Sequence, residues 1–85
     1  MTQVLNQEVD VTAYYFAGGK TRGFPKRVQY NGNELTFAEN GLRCLVKKGQ
    51  DLIEIFNMSD GRKQYRLRFE PNDRCWTLLT SSSVA

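Results

Sequence analysis

Turn signals recur along the chain at short, even intervals, and they limit its fold more than any other feature. Tyr30-Asn31-Gly32-Asn33, Glu39-Asn40-Gly41, Lys48-Gly49-Gln50 and Ser59-Asp60-Gly61 are polar clusters set between apolar runs. Glu70-Pro71-Asn72-Asp73 does the same with proline. Asn-Gly and Asp-Gly suit tight hairpins because these residues tolerate positive φ. Turns spaced roughly 8–12 residues apart leave room for strands rather than for helices of ordinary length. Such short connections also force antiparallel neighbours, since a parallel pair needs a crossover of about a dozen residues.

The runs between the turns carry the two-residue period of strands. Tyr65, Leu67 and Phe69 alternate with Gln64, Arg66 and Arg68. Leu35 and Phe37 alternate with Glu34 and Thr36, and Val28 and Tyr30 with Arg27 and Gln29. Strands are expected over 8–17, 25–30, 34–38, 42–48, 51–57, 62–70 and 74–80. A short helix around Val4-Leu5 is the one helical segment the pattern allows. Residues 1–80 read as a single all-β domain, with 81–85 as a frayed, flexible C-terminal tail.

The expected fold is a single antiparallel meander of six to seven short strands forming a small barrel or roll. An open meander would leave an apolar face bare, unless a second subunit completed the sheet. Leu52, Phe56 and Leu79 fall on the nominally polar side of their strands. They mark either a bend of the sheet over itself or a dimer contact. Trp76 shares the phase of Leu78 and is the expected packing anchor.

Composition narrows the chemistry. An 85-residue chain supports one domain, and this one has no histidine. That removes Ser-His-Asp and Cys-His catalysis, His-ligated zinc and histidine pH switches. Cys44 and Cys75 match no metal-binding spacing, and Cys44, among apolar residues, reads as an inert buried thiol. The acids Asp10, Asp51, Glu54, Asp60 and Asp73 are scattered over strands and turns, with no pair placed for acid–base work. Ala17-Gly18-Gly19-Lys20-Thr21 lacks the spacing of a phosphate-binding loop. No catalytic residue, metal or cofactor is expected. With no signal-peptide pattern and no long apolar run, a cytoplasmic location and reduced thiols are expected, with no membrane partner.

The formal net charge of +3 resolves into two basic groupings. The loop over 20–27 carries Lys20, Arg22, Lys26 and Arg27 around Phe24, with no acid among them. Arg66 and Arg68 project from one strand, and Arg43 and Lys47 project similarly from another, with Glu54 on the strand between. Two outcomes follow. Glu54 could bridge the arginines on either side as cross-strand ion pairs. Otherwise these cations could form a basic face for nucleic acid or another polyanion, with Phe24 or Tyr14 stacking on bases.

The leading functional expectation is thus a small non-catalytic binding module for nucleic acid or another polyanion, an acidic protein included. The alternative is a protein-interaction module, or one that forms a homodimer, pairing an edge strand or joining apolar faces.

Overall fold

The computed structural model describes residues 2–15, 23–38, 41–71 and 73–83. Seven antiparallel strands fill most of that length: β1 (Thr2–Tyr15), β2 (Phe24–Tyr30), β3 (Asn33–Thr36), β4 (Leu42–Lys48), β5 (Asp51–Ser59), β6 (Lys63–Glu70) and β7 (Cys75–Ser83). All seven expected strands are present. They form one sheet in the order β3-β2-β1-β7-β6-β5-β4. Chain neighbours pair throughout, except that β7 returns to β1 and no ladder among the described residues joins β3 to β4.

The turns work as their composition implies. Asn31 and Gly32 both have positive φ, 53° and 75°, which matches the twist of the β2–β3 hairpin. At the β5–β6 turn, Asp60 Oδ1 accepts the amides of Arg62 at 2.8 Å and Lys63 at 2.7 Å. The Tyr65 hydroxyl donates to Asp60 Oδ2 at 3.3 Å. Burial alone would raise the Asp60 carboxyl, but these donors together hold it below its usual value. The same carboxylate works in reverse on Tyr65. Burial first, then the adjacent charge and hydrogen bond, push that phenol upward.

β1 is the corner of the sheet. Its first part pairs with β7, from Thr2 opposite Ser82 to Val9 opposite Trp76. Its second part pairs with β2, from Asp10 opposite Gln29 to Tyr15 opposite Phe24. Register shifts between Val4 and Gln7, and on either side of Ala13, bend the strand so that it serves both ladders. Asn6, at φ 46°, lies within the first shift. The Val4-Leu5 region is therefore strand and not helix, because β7 supplies it with a backbone partner. Ser81–Ser83 likewise belong to β7, Ser81 and Ser82 held between β1 and β6 and Ser83 paired with Lys63, with Ser81 buried, where a frayed tail was expected over 81–85, of which 84–85 lie outside the described residues.

The bend lets the sheet cover its own apolar face. β2 and β5 are four places apart in the strand order, roughly 19 Å in a flat sheet. Yet the rings of Phe24 and Phe56 meet edge to face with centroids 5.6 Å apart. Val9, Val28, Phe37, Phe56, Met58, Tyr65, Leu67, Trp76 and Leu78 form the buried cluster between the two halves. Trp76 is the anchor expected of it, touching Phe56 at 5.1 Å and Phe69 at 4.8 Å between centroids.

The sheet nevertheless stays open among the described residues, so of the expected barrel or roll the closed barrel is not formed. β3 ends at Thr36, and Phe37 turns out of the strand into the core, fully buried with its ring 5.6 Å from that of Tyr65. Its amide bonds the Lys26 carbonyl and its own carbonyl accepts the Tyr15 hydroxyl at 2.6 Å. The Ala38 amide then bonds the Ser59 carbonyl at the end of β5. The connection is thus tied to β2, β1 and β5 instead of forming a β3–β4 hairpin. β3 and β4 remain as the two edges.

Candidate functional site

Register decides which side chains share a surface, because a shift of one residue moves each to the other face. Arg43 stands opposite Phe56, and Phe56 opposite Leu67. Arg43, Leu45 and Lys47 therefore take the phase of the core side. Arg66 and Arg68 stand opposite Asn57 and Ile55, which in turn face Leu42 and Cys44. These belong to the outer side. The four strand cations are not brought together on one face.

Most of the other sequence candidates have partners. Arg43 Nε donates to Glu54 Oε1 at 2.6 Å, and the Glu54 side chain is only 3% exposed. Of the cations expected on either side of Glu54, the β4 Arg43 is paired with it, on the inner side of the sheet, while Arg66 and Arg68 of β6 lie on the other face. Arg68 Nε lies 3.1 Å from Glu70 Oε1, an ionic contact without a directed hydrogen bond. Arg27 Nε is 3.5 Å from Glu34 Oε1. Lys26 Nζ sits 5.3 Å from the centre of the Tyr15 ring, within cation–π range. Phe24 packs on the core, its ring engaged by Phe56. Lys47 and Arg66 are exposed, while Lys20 and Arg22 lie outside the described residues.

Two cavities were not legible in the sequence. A hollow of about 580 Å³ is lined by Tyr14, Phe69 and Trp76 with Glu8, Asp10, Arg74 and Cys75 on its rim. A smaller one of about 160 Å³ adjoins Glu54, Phe56 and Gly23. The Cys75 thiol is pushed up, first by a hydrogen bond to Glu8, then by burial and the Glu8 charge, so it is a poorer nucleophile. No group of three metal-ligating side chains occurs among the described residues.

The most distinctive surface is the β4 edge. All seven of its residues are exposed. Leu42 is 73% exposed, Leu45 52% and Val46 43%, and Leu52 on the adjoining strand is 46% exposed. Cys44 is exposed as well, where a buried thiol was expected. The reason is positional: among the described residues β4 has a strand on one side only, β5. Every other residue of such a strand turns its N–H and C=O away from its neighbour, so the edge is a template for another strand. The opposite edge, β3, is short and carries an Arg27–Glu34 ion pair, both of which blunt pairing.

The sequence signal for this edge was faint but present. β4 is apolar on both phases, with Leu42, Cys44 and Val46 on one and Leu45 on the other. Of the three residues singled out as bend or dimer contacts, Leu52 is exposed beside the edge and Leu79 lies at a bulge of β7. Phe56 is instead 2% exposed in the core, because it aligns with Leu67. No family model, curated protein or solved structure matches this chain.

Proposed function

We propose that the chain is a non-catalytic protein-interaction module that recruits a further β-strand to the β4 edge. The observation that carries this reading is a seven-residue edge strand, exposed throughout, with apolar side chains on both faces. An edge of that kind is costly to leave bare and is the feature that strand-addition domains use. Its backbone supplies affinity and its alternate side chains supply selectivity.

A photo-crosslinking residue placed at Val46 in the intact protein, in cells, tests the reading. A discrete protein adduct, with this chain or another, is expected at Val46 and not at Arg66 on the outer face of β6. Equal labelling at the two positions, or none at Val46, overturns it.

A polyanion ligand is the second reading. Arg62, Lys63 and Arg66 are exposed along the start of β6 with no ion pair among the described residues. Retention of a short single-stranded oligonucleotide, falling steeply as salt is raised and weakened by Arg66→Ala, would support it. Weak binding with a flat salt dependence would count against it.

A further inference from the structure

The β4 edge is complementary to itself in one register. Two copies of an antiparallel edge related by a two-fold axis perpendicular to the sheet place residues of the same phase opposite one another. The axis must therefore pass through a residue. Centred on Arg43 or Lys47, it opposes two like charges at the axis, and centred on Leu45 it opposes Arg43 to Lys47. Centred on Val46, it sets lysines against Leu45 and Cys44. Like charges directly opposite one another destabilise a strand pair.

Centred on Cys44, no two cations are opposed and the apolar side chains of the Leu42, Cys44 and Val46 phase meet one another. Leu42 meets Val46 of the second copy twice, Cys44 meets Cys44, and Arg43 meets Leu45. All five of these positions lie within β4. Lys47 falls opposite Gly41, and Lys48 lies beyond the paired segment. On the outer face, Ile55 and Cys44 of one copy continue into Cys44 and Ile55 of the other, since Cys44 stands opposite Ile55. The exposed Leu42 and Val46 cover each other.

We propose that this protein forms a two-fold homodimer in which β4 pairs antiparallel with β4 of a second copy, centred on Cys44. The proposal rests on the strand-addition reading of the β4 edge and names its occupant. The seven-residue edge is a small interface, so the dimer belongs to the weak, concentration-dependent class.

The test combines sedimentation with register-specific cross-linking in a Cys75→Ser background. The protein is expected to shift from monomer to dimer with concentration. Cys44→Lys puts two cations together at the axis and is expected to weaken the dimer about tenfold or more. With diamide as oxidant, two Cys44 thiols give up two electrons and two protons and form one intermolecular disulfide, and diamide becomes the hydrazine. Opposed residues of an antiparallel pair have Cα separations that a disulfide can span. Cys44→Ser with Val46→Cys is expected to give no such dimer, because Val46 faces Leu42. Adding Leu42→Cys to that variant is expected to restore it.

A monomer at the highest attainable concentration overturns the proposal. So does a dimer that cross-links through Val46→Cys alone, or one indifferent to Cys44→Lys. If the chain stays monomeric while the Val46 photo-crosslinker captures a different protein, the homodimer falls and the strand-addition reading stands. If neither occurs, both fall.

Discussion

Replacing Arg43 with methionine should remove a cationic partner from a carboxylate inside the protein. Glu54 has a side chain 3% exposed, and the Arg43 guanidinium, itself 30% exposed, is 2.6 Å from its Oε1. Breaking a fully buried ion pair costs about 3–5 kcal/mol because the remaining charge is uncompensated. Exposed pairs are worth about 0–1 kcal/mol. One buried and one partly exposed partner place this pair between those limits, at about 2–3 kcal/mol. A chain of 85 residues has a total stability of about 4–13 kcal/mol. The loss is thus a large fraction of the whole, and at about 4–8 °C per kcal/mol it lowers Tm by roughly 10–20 °C.

Urea unfolding followed by fluorescence reads this directly. Trp76 is the only tryptophan and touches Phe56 in the core. Arg43→Met should move the midpoint without changing the slope. Arg43→Met with Glu54→Leu should recover to within about 1 kcal/mol of the parent, since replacing both partners by apolar groups removes the desolvated charge. A single Arg43→Met variant within about 0.5 kcal/mol of the parent would refute the reasoning. It would mean that Glu54 is satisfied without the guanidinium.

Three further outcomes are expected. Asp60→Ala loses the acceptor for two turn amides and should cost about 1–2 kcal/mol in urea unfolding. Because the Asp60 carboxyl is held below its ordinary 3.8, its contribution is complete above that value and fades as pH falls through the lower folded-state value. The gap between parent and Asp60→Asn should accordingly narrow in strong acid. A Cβ added at Gly41 would overlap the Asn57 carbonyl oxygen, so Gly41→Ala should force a backbone shift and cost at least about 1–3 kcal/mol. Phe56→Lys should unfold the protein by burying an unpaired charge, whereas Val46→Lys should leave stability within about 1 kcal/mol; comparable losses in thermal unfolding would contradict the placement of these two residues.

The strands were legible because two independent signals agreed on them: turn chemistry at Asn31-Gly32, Gly49 and Asp60-Gly61, and two-residue alternation between. What failed was the assignment of faces. On β5, the charge of Glu54 made Leu52, Glu54 and Phe56 look like the outer side. Register with Leu67 turns that phase inward, and Arg43 makes the buried carboxylate tolerable. The strand's own pattern could not reveal this, since both its phases are apolar and the choice belongs to its neighbours. The basic face dissolved for the same reason, with Arg43 and Lys47 in one phase and Arg66 and Arg68 in the other. The early part of β1 was missed because the register shift at Asn6 interrupts its alternation. Ser81–Ser83 were missed because serine has little intrinsic strand preference. Their strand comes from β6, which pairs with all three, and from β1, which pairs with Ser81 and Ser82.

The open edge and the burial of Phe37 have one structural cause. In sequence, Phe37 continues the alternation of Leu35 and looks like the end of a strand. In the fold it leaves the strand, fills the end of the core against Tyr65, and fixes the connection to β2, β1 and β5 through the Lys26 carbonyl, the Tyr15 hydroxyl and the Ser59 carbonyl. A β3–β4 hairpin would need the chain to turn back after Thr36, which would break the Ala38–Ser59 bond that leads it on to β5. Burying a phenylalanine is worth about 1.5–3 kcal/mol, so a connection that keeps Phe37 in place is favoured. Four-residue β3 could return only a short ladder in a hairpin with β4. A strand supplied by the proposed second copy would cover the β4 edge and leave the Phe37 connection as it is.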